Sequence, residues 1–320
     1  MHIFKYIIIT FFILSFNTAF ASENTSNNKI IYLAPDMNIP FWQIMAKGIK
    51  NTINSKNYKF EIYNSNNSAK KELELVVKAI KEKVSGIIVS PSNSSACVTI
   101  LKLAKNANIP VVISDIGTDA GNYVSYISSN NKKGAYDIGK ILAKKMINKK
   151  WEKGKVGIIA IPQKRLNGQE RTAGFMKALN EDNIKGADIK QMVKWTKEET
   201  YNFTKQFILN YPDLRAIWLQ TSNLYAGAIK AIKDMKKEKE ILLIAFDAEP
   251  EFLKLIPEEK IVASGMQQPC LMGETAAQTM LKHLNGEKVK KDIQIPILAI
   301  TTENINTKLK LINRNVLGIK

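Results

Sequence analysis

Between residues 29 and 114 the apolar positions fall into two alternating patterns. Runs rich in Ile and Val at 29–33, 86–89 and 111–114 are almost wholly apolar, as the buried strands of a parallel sheet are, and 58–63 reads as a further strand. The intervening segments 41–55, 70–83 and 96–106 carry apolar residues three and four apart, such as Leu73, Val76, Val77 and Ile80, which predicts helices. A second series begins after Ser128: helix 132–147, strand 155–161, helix 169–180, strand 189–193, helix 197–210, strand 216–220, helix 224–235 and strand 241–246. Alternating strands and helices build a parallel sheet covered on both faces. The pattern therefore predicts an α/β protein with two similar lobes, joined by short connections punctuated at Pro110, Pro212 and Pro250.

The first residues follow another logic. Lys5, an apolar run over 6–16 and Ala19-Phe20-Ala21 before Ser22 have the three parts of a secretory signal peptide. The run is too short for a membrane span, and no Cys follows the cleavage point to carry a lipid. Residues 1–21 are expected to be removed, leaving an exported, unanchored chain in the periplasm. What remains is long enough for two cores.

The formal net charge of +18 raises nucleic acid as a partner. The excess, however, lies on helix faces, as at Lys70, Lys71, Lys78, Lys81 and Lys83, with no aromatic residues interleaved. Solvated helix surfaces account for it, and no nucleic-acid partner is expected. The two cysteines, Cys97 and Cys270, make no disulfide framework; a single bridge between them depends on the fold. Of two histidines, His2 falls in the signal peptide and His283 in a late helical stretch. No His, Cys and carboxylate cluster has metal-site spacing, and a Ser-His-Asp or Cys-His device lacks its histidine. Neither a metal, nor a cofactor, nor catalytic machinery is expected.

Ligands of open parallel sheets bind beyond the carboxyl ends of the strands. There the chain places Asp36 and Asn38, Ser90 to Asn93, Asp115, Thr221 to Asn223, Asp247 and Gln267. Each alone is also a good turn former or helix cap. Phe41 and Trp42, just past the first strand, read either as a ring-stacking surface facing a cleft or as core residues opening a helix. The accumulation of carboxylates, carboxamides and aromatics at strand ends favours a binding cleft.

Asn38-Ile39-Pro40-Phe41-Trp42, Ile109-Pro110-Val111-Val112-Ile113-Ser114-Asp115, Gln169-Glu170-Arg171-Thr172-Ala173-Gly174-Phe175, Ile244-Ala245-Phe246-Asp247 and Met266-Gln267-Gln268-Pro269 occur in that order. The set resembles the ribose-binding branch of the type I periplasmic sugar-binding proteins, over residues 30 to 301. The resemblance implies two lobes and a hinge crossed three times, near Ser128 and Ser129, near Met266 and Gln267, and near Pro296 and Ile297. Lobe one would comprise 28–129 plus 268–296, and lobe two 130–267 plus 297–320. In such proteins aromatics sandwich a sugar ring while polar side chains pair with its hydroxyls. The implied ligand residues are Asn38, Phe41, Trp42, Asp115, Gln169, Trp195, Thr221, Phe246, Asp247 and Gln267.

The chain departs from the ribose pattern where Ile116 follows Asp115 and Gln169 precedes Arg171 by two positions, both arginines in ribose binders. Neutral Gln and apolar Ile cannot reproduce a guanidinium fork. A ligand smaller or less hydroxylated than ribose is expected, with Arg165 or Lys164 as replacement charges. The implied function is a monomeric receptor that captures a sugar-like ligand and presents it to an inner-membrane ABC permease. A periplasmic sensor acting on a histidine kinase is the alternative. A hydrolase with Asp115 and Asp247 as its paired carboxylates is the weakest reading.

Overall fold

The computed structural model describes residues 27–54 and 56–319, so the signal-peptide expectation lies outside the described residues. The first half runs β1 (Asn27–Ala34), α1 (Pro40–Ile53), β2 (Lys59–Asn64), α2 (Ala69–Lys81), β3 (Val84–Val89), α3 (Ser94–Asn106), β4 (Val111–Ser114) and β5 (Ser125–Ser129). The second runs α4 (Asn131–Asn148), β6 (Lys155–Ala160), α5 (Leu166–Glu181), β7 (Lys185–Gln191), α6 (Lys197–Asn210), β8 (Leu214–Leu219), α7 (Tyr225–Asp234), β9 (Leu242–Phe246), α8 (Phe252–Leu255) and β10 (Ala263–Met266). Then come α9 (Pro269–Leu284), β11 (Asp292–Ile295), β12 (Leu298–Thr301), α10 (Ile305–Leu311) and a π-helical turn, Ile312–Val316.

These strands form two six-stranded sheets, ordered β11-β5-β4-β3-β1-β2 and β12-β10-β9-β8-β6-β7. All pairings are parallel except β10 with β12. Strand alternation explains why each sheet is buried on both faces. Ile30 and Tyr32 of β1 enter one core while Ile31 and Leu33 enter the other. In the second sheet Val156, Ile158 and Ala160 face one core, and Ile159 and Ile161 the opposite one.

The chain passes between the sheets after β5, after β10 and between β11 and β12. Helix α9 thereby returns to lobe one and packs against α1 through two glycines. A Cβ on Gly48 would lie 2.2 Å from the Cys270 carbonyl oxygen, and one on Gly273 would lie 2.2 Å from that of Met45. Cys97 and Cys270 are both free and buried.

Two expectations shift. Edge strand β7 lies over 185–191 and not 189–193; its mostly exposed, polar sequence carries little periodic signal. Helix α5 starts at Leu166, three residues early, because the Arg165 N-cap opens it without a capping side chain to mark the start. That shift matters for the site.

Candidate functional site

At the carboxyl ends of both sheets, the loops meet around a small cavity of about 40 Å³ between the lobes. Phe41 and Trp42 sit on the first turn of α1, which Pro40 opens and which follows a turn closed by the Ile39 N–H donating to the Asp36 carbonyl. Their rings meet edge to face at 4.8 Å. Trp42 is only 5 % exposed and packs with the lobe-one core, so the core and cleft readings of this residue both hold.

Trp195 enters the cavity from lobe two with φ +54°, a costly conformation for a bulky residue. Glu199 holds it there: its carboxylate accepts the N–H groups of Val193, Lys194 and Trp195, each at 2.9 Å. The Glu199 N–H donates in turn to the Thr196 hydroxyl at 3.1 Å, which caps the start of α6.

Asp115 follows β4, is 2 % exposed, and accepts the Asn167 amide on Oδ2 at 3.0 Å. Burial pushes its carboxyl up to about 6, with Arg171 opposing the rise. Asp247 follows β9 and accepts the Gln267 amide on Oδ1 at 2.8 Å. Burial raises its carboxyl too, again opposed by Arg171. Arg171 stacks its guanidinium 4.0 Å from the centre of the Phe246 ring. It donates to the Asn131 Oδ1 and the Gln220 carbonyl at 2.9 and 3.0 Å, and stands 3.7 Å from the Asp247 carboxylate.

Three oxygens in this cavity, Asp115 Oδ1, Asn167 Oδ1 and Gln267 Oε1, are buried and lack a hydrogen-bond partner. The amides cannot be turned to relieve this, because each nitrogen already faces a carboxylate oxygen. The site is therefore short of donors. A molecule carrying several hydroxyls supplies them, and buried acceptors left unpaired cost about 1–3 kcal/mol each.

The lobes are closed on one another in this structure. Arg165 at the start of α5 donates from Nε to the Ser92 carbonyl and from Nη2 to Asn67 Oδ1, at 3.1 and 3.0 Å. The Leu166 N–H reaches Ser94 Oγ at 3.1 Å. With the bond from Asn167 to Asp115, one loop of lobe two spans the cleft at four points. Behind Ser92 lies Glu72, fully buried, which accepts the Ser92 N–H and hydroxyl at 2.8 and 3.0 Å. Burial pushes the Glu72 carboxyl up to about 7.

Seven of the ten expected residues line the cavity: Phe41, Trp42, Asp115, Trp195, Thr221, Asp247 and Gln267. Three do not. Asn38 is exposed and bonded to Asp36. Phe246 lies fully buried beneath Arg171. Gln169 points outward from α5 and donates to the Gln163 carbonyl. The expectation that Gln169 displaces a ligand arginine is thereby corrected, since Arg171 occupies the cavity wall. Arg165, which the sequence offered as a replacement charge, lines it as well, together with Ile39, Ile161 and Asn167, which sequence reasoning missed. Ile116 is wholly buried in the lobe-one core.

A broader groove of about 680 Å³ lies at the opposite end of lobe one, between Leu101, Tyr123 and His283. Its polar lining residues Lys105, Asn122, Glu287 and Lys288 are exposed, so it lacks the buried, converging polar atoms of the interlobe cavity.

The family profile described as a periplasmic binding protein domain matches residues 30–288. The chain belongs to that family. Among curated family members, the ribose import binding protein RbsB of Haemophilus influenzae is 26 % identical over 283 residues, covering 88 % of this chain and 94 % of its own. The D-apiose import binding protein of Paraburkholderia graminis is 24 % identical, covering 92 % of this chain and 94 % of its own. Among solved structures, the Agrobacterium radiobacter carbohydrate transporter solute-binding protein in complex with D-arabinose superposes with a TM-score of 0.81 at 20 % identity, over 88 % of this chain and 97 % of that one. The Agrobacterium vitis ABC transporter solute-binding protein with bound D-fucose gives 0.76 at 25 %, over 87 % and 97 %. Two six-stranded sheets flanked by helices are thus the type I fold of periplasmic sugar-binding proteins.

Proposed function

We propose that the protein captures a neutral monosaccharide or similar polyol between its lobes and delivers it, as a monomer, to an inner-membrane ABC permease. The observation that carries this reading is the set of three unpartnered acceptor oxygens, from Asp115, Asn167 and Gln267, beside Phe41 and Trp42. Hydroxyl groups donate to those oxygens, and a sugar's apolar C–H face covers the rings. Arg171 donates to ligand oxygens beside Asp247. The two buried carboxylates disfavour an anionic ligand.

Import is preferred to signalling through a histidine kinase because relatives spanning nearly this whole chain are named as import proteins. Export with loss of residues 1–21 completes the reading and places capture in the periplasm. The aspartates act as hydrogen-bond acceptors for the ligand, not as an acid and base pair.

A thermal-shift screen of the mature protein against D-ribose, D-allose, D-apiose, D-arabinose, D-fucose and myo-inositol tests the proposal. At least one should raise the melting temperature in a concentration-dependent way, with calorimetry giving one site per chain. Arg171→Ala should abolish that shift while Gln169→Ala leaves it intact. Failure of all six sugars, with a shift from a charged or apolar compound, would overturn the polyol assignment.

A further inference from the structure

The family profile ends at residue 288 and the last strand at Thr301, yet the chain continues through α10 into the π-helical turn. This tail touches both lobes. Ile312, Val316 and Leu317 are buried in a lobe-two core with Phe252, Ile256 and Ile305. The residues between and beyond them face lobe one. Arg314 Nη2 pairs with Glu274 of α9 at 2.9 Å. Asn315, 5 % exposed, donates to Gln268 Oε1 at 2.7 Å, and Gln268 donates to the Pro296 carbonyl at 2.8 Å. Lys47 of α1 donates to the Gly318 carbonyl at 2.7 Å. Gly318 itself sits at φ +62°, where a Cβ would come within 3.1 Å of Ile44. The stretch expected in lobe two, 297–320, thus also reaches lobe one through these contacts.

The placement has a mechanical consequence. Gln268 and Pro296 lie on two of the hinge crossings, so the Asn315 bond sits near the axis about which the lobes rotate. Glu274, Ile44 and Lys47 lie farther along α9 and α1, where the same rotation produces a larger displacement. The tail cannot follow lobe one there while three of its side chains stay in the lobe-two core. We propose that residues 312–318 form a fourth crossing of the hinge, a strap whose outer contacts hold only in the closed form and which therefore restricts opening. A π-helical turn, a rare geometry frequently found at functional sites, is the element that carries the chain across.

The test uses the ligand-free mature chain and small-angle X-ray scattering. Lys47→Ala combined with Arg314→Ala removes the outer contacts without altering a cavity residue or the lobe-two core. The double variant should scatter with a larger radius of gyration and maximum dimension than wild type, at unchanged circular dichroism. Lys310→Ala, on the exposed side of α10, should leave both dimensions at their wild-type values. Asn315→Ala should enlarge them further; if it lowers the melting temperature sharply, the Lys47 and Arg314 pair alone decides. Equal dimensions for wild type and the double variant would overturn the strap.

Discussion

Asp115 and Asp247 are counterparts across the two lobes: each directly follows the fourth strand of its series, at φ +65° and +66°, and each donates its N–H at 2.9 Å to a carbonyl of the neighbouring strand, Ile127 or Gly265. The left-handed backbone turns the carboxylate out of the sheet and into the cleft, a conformation that Asp tolerates better than most residues. One carboxylate from each lobe therefore lines the same cavity.

Removing either should weaken binding separately. Asp115→Ala or Asp247→Ala is expected to cost about 1–3 kcal/mol of affinity, because a ligand hydroxyl is then buried without an acceptor. Calorimetry with the sugar selected by the screen measures it. Wild-type affinity in both variants would remove the carboxylates from the site.

Of the four tryptophans, Trp42 and Trp195 line the cavity, whereas Trp218 is stacked on Phe175 at 3.9 Å deep in lobe two. Ligand addition should therefore change the intrinsic fluorescence. Trp42→Phe should remove much of the change, and Trp195→Phe the rest. A ligand response that survives in the double variant would place the binding event elsewhere.

Glu72 gives a pH dependence of stability with a definite sign. Its carboxyl titrates at about 7 in the folded chain, raised by burial from an ordinary value of 4.5. Between those values the native state holds the proton more tightly than the unfolded chain, so this group's contribution is full below the lower value and is lost as pH rises through the upper one. The groups facing it are the Arg165 cation and the Cys97 thiol, the latter pushed up to about 12 by burial. Glu72→Gln keeps an acceptor and a donor toward Ser92 while deleting the titration. The variant should gain stability relative to wild type as pH is raised from 5 to 8, by no more than about 3 kcal/mol. Parallel melting curves across that range would contradict the assignment.

Gly273→Ala should destabilise lobe one. A Cβ placed 2.2 Å from the Met45 carbonyl forces α1 and α9 apart, and overpacking of this kind costs about 1–3 kcal/mol. The usual helix-propensity gain of about 1 kcal/mol from Gly to Ala only partly offsets it. Thermal unfolding of the variant, compared with Ala at exposed Lys282, reads out the difference.

The alternation of strands and helices made the two lobes legible, and the strand-end rule reached Asp115, Asp247 and Gln267. The helix-borne residues were harder. Residues 169 and 171 are two apart, about 200° around a helix, so they face opposite sides; without knowing that α5 starts at Leu166, the sequence could not say which one enters the cleft. Phe246 differs from Asp247 by one position, and strand alternation sends its ring into the core instead. Arg165 and Asn167 become meaningful only when the lobes close, because their partners Ser92, Asn67 and Asp115 lie in the other lobe. The tail carried no such signal. Its contacts with lobe one, Arg314 with Glu274 and Asn315 with Gln268, join residues 40 and 47 positions apart, which no local pattern can show.

The pairing of α1 with α9 also orders the assembly of the protein in time. Helix α1 ends at Ile53 and its partner begins at Pro269, with the main strands of the second lobe encoded between them. As the chain emerges from its amino end, lobe one has five of its six strands yet lacks the helix that covers the face bearing Tyr32 and Met45. That face stays only partly covered until α9, which starts 140 residues after the end of β5, has appeared, which makes its closure a late step dominated by distant contacts and slow for that reason. Until then the young chain carries an exposed apolar surface, the kind of target that a holding chaperone binds.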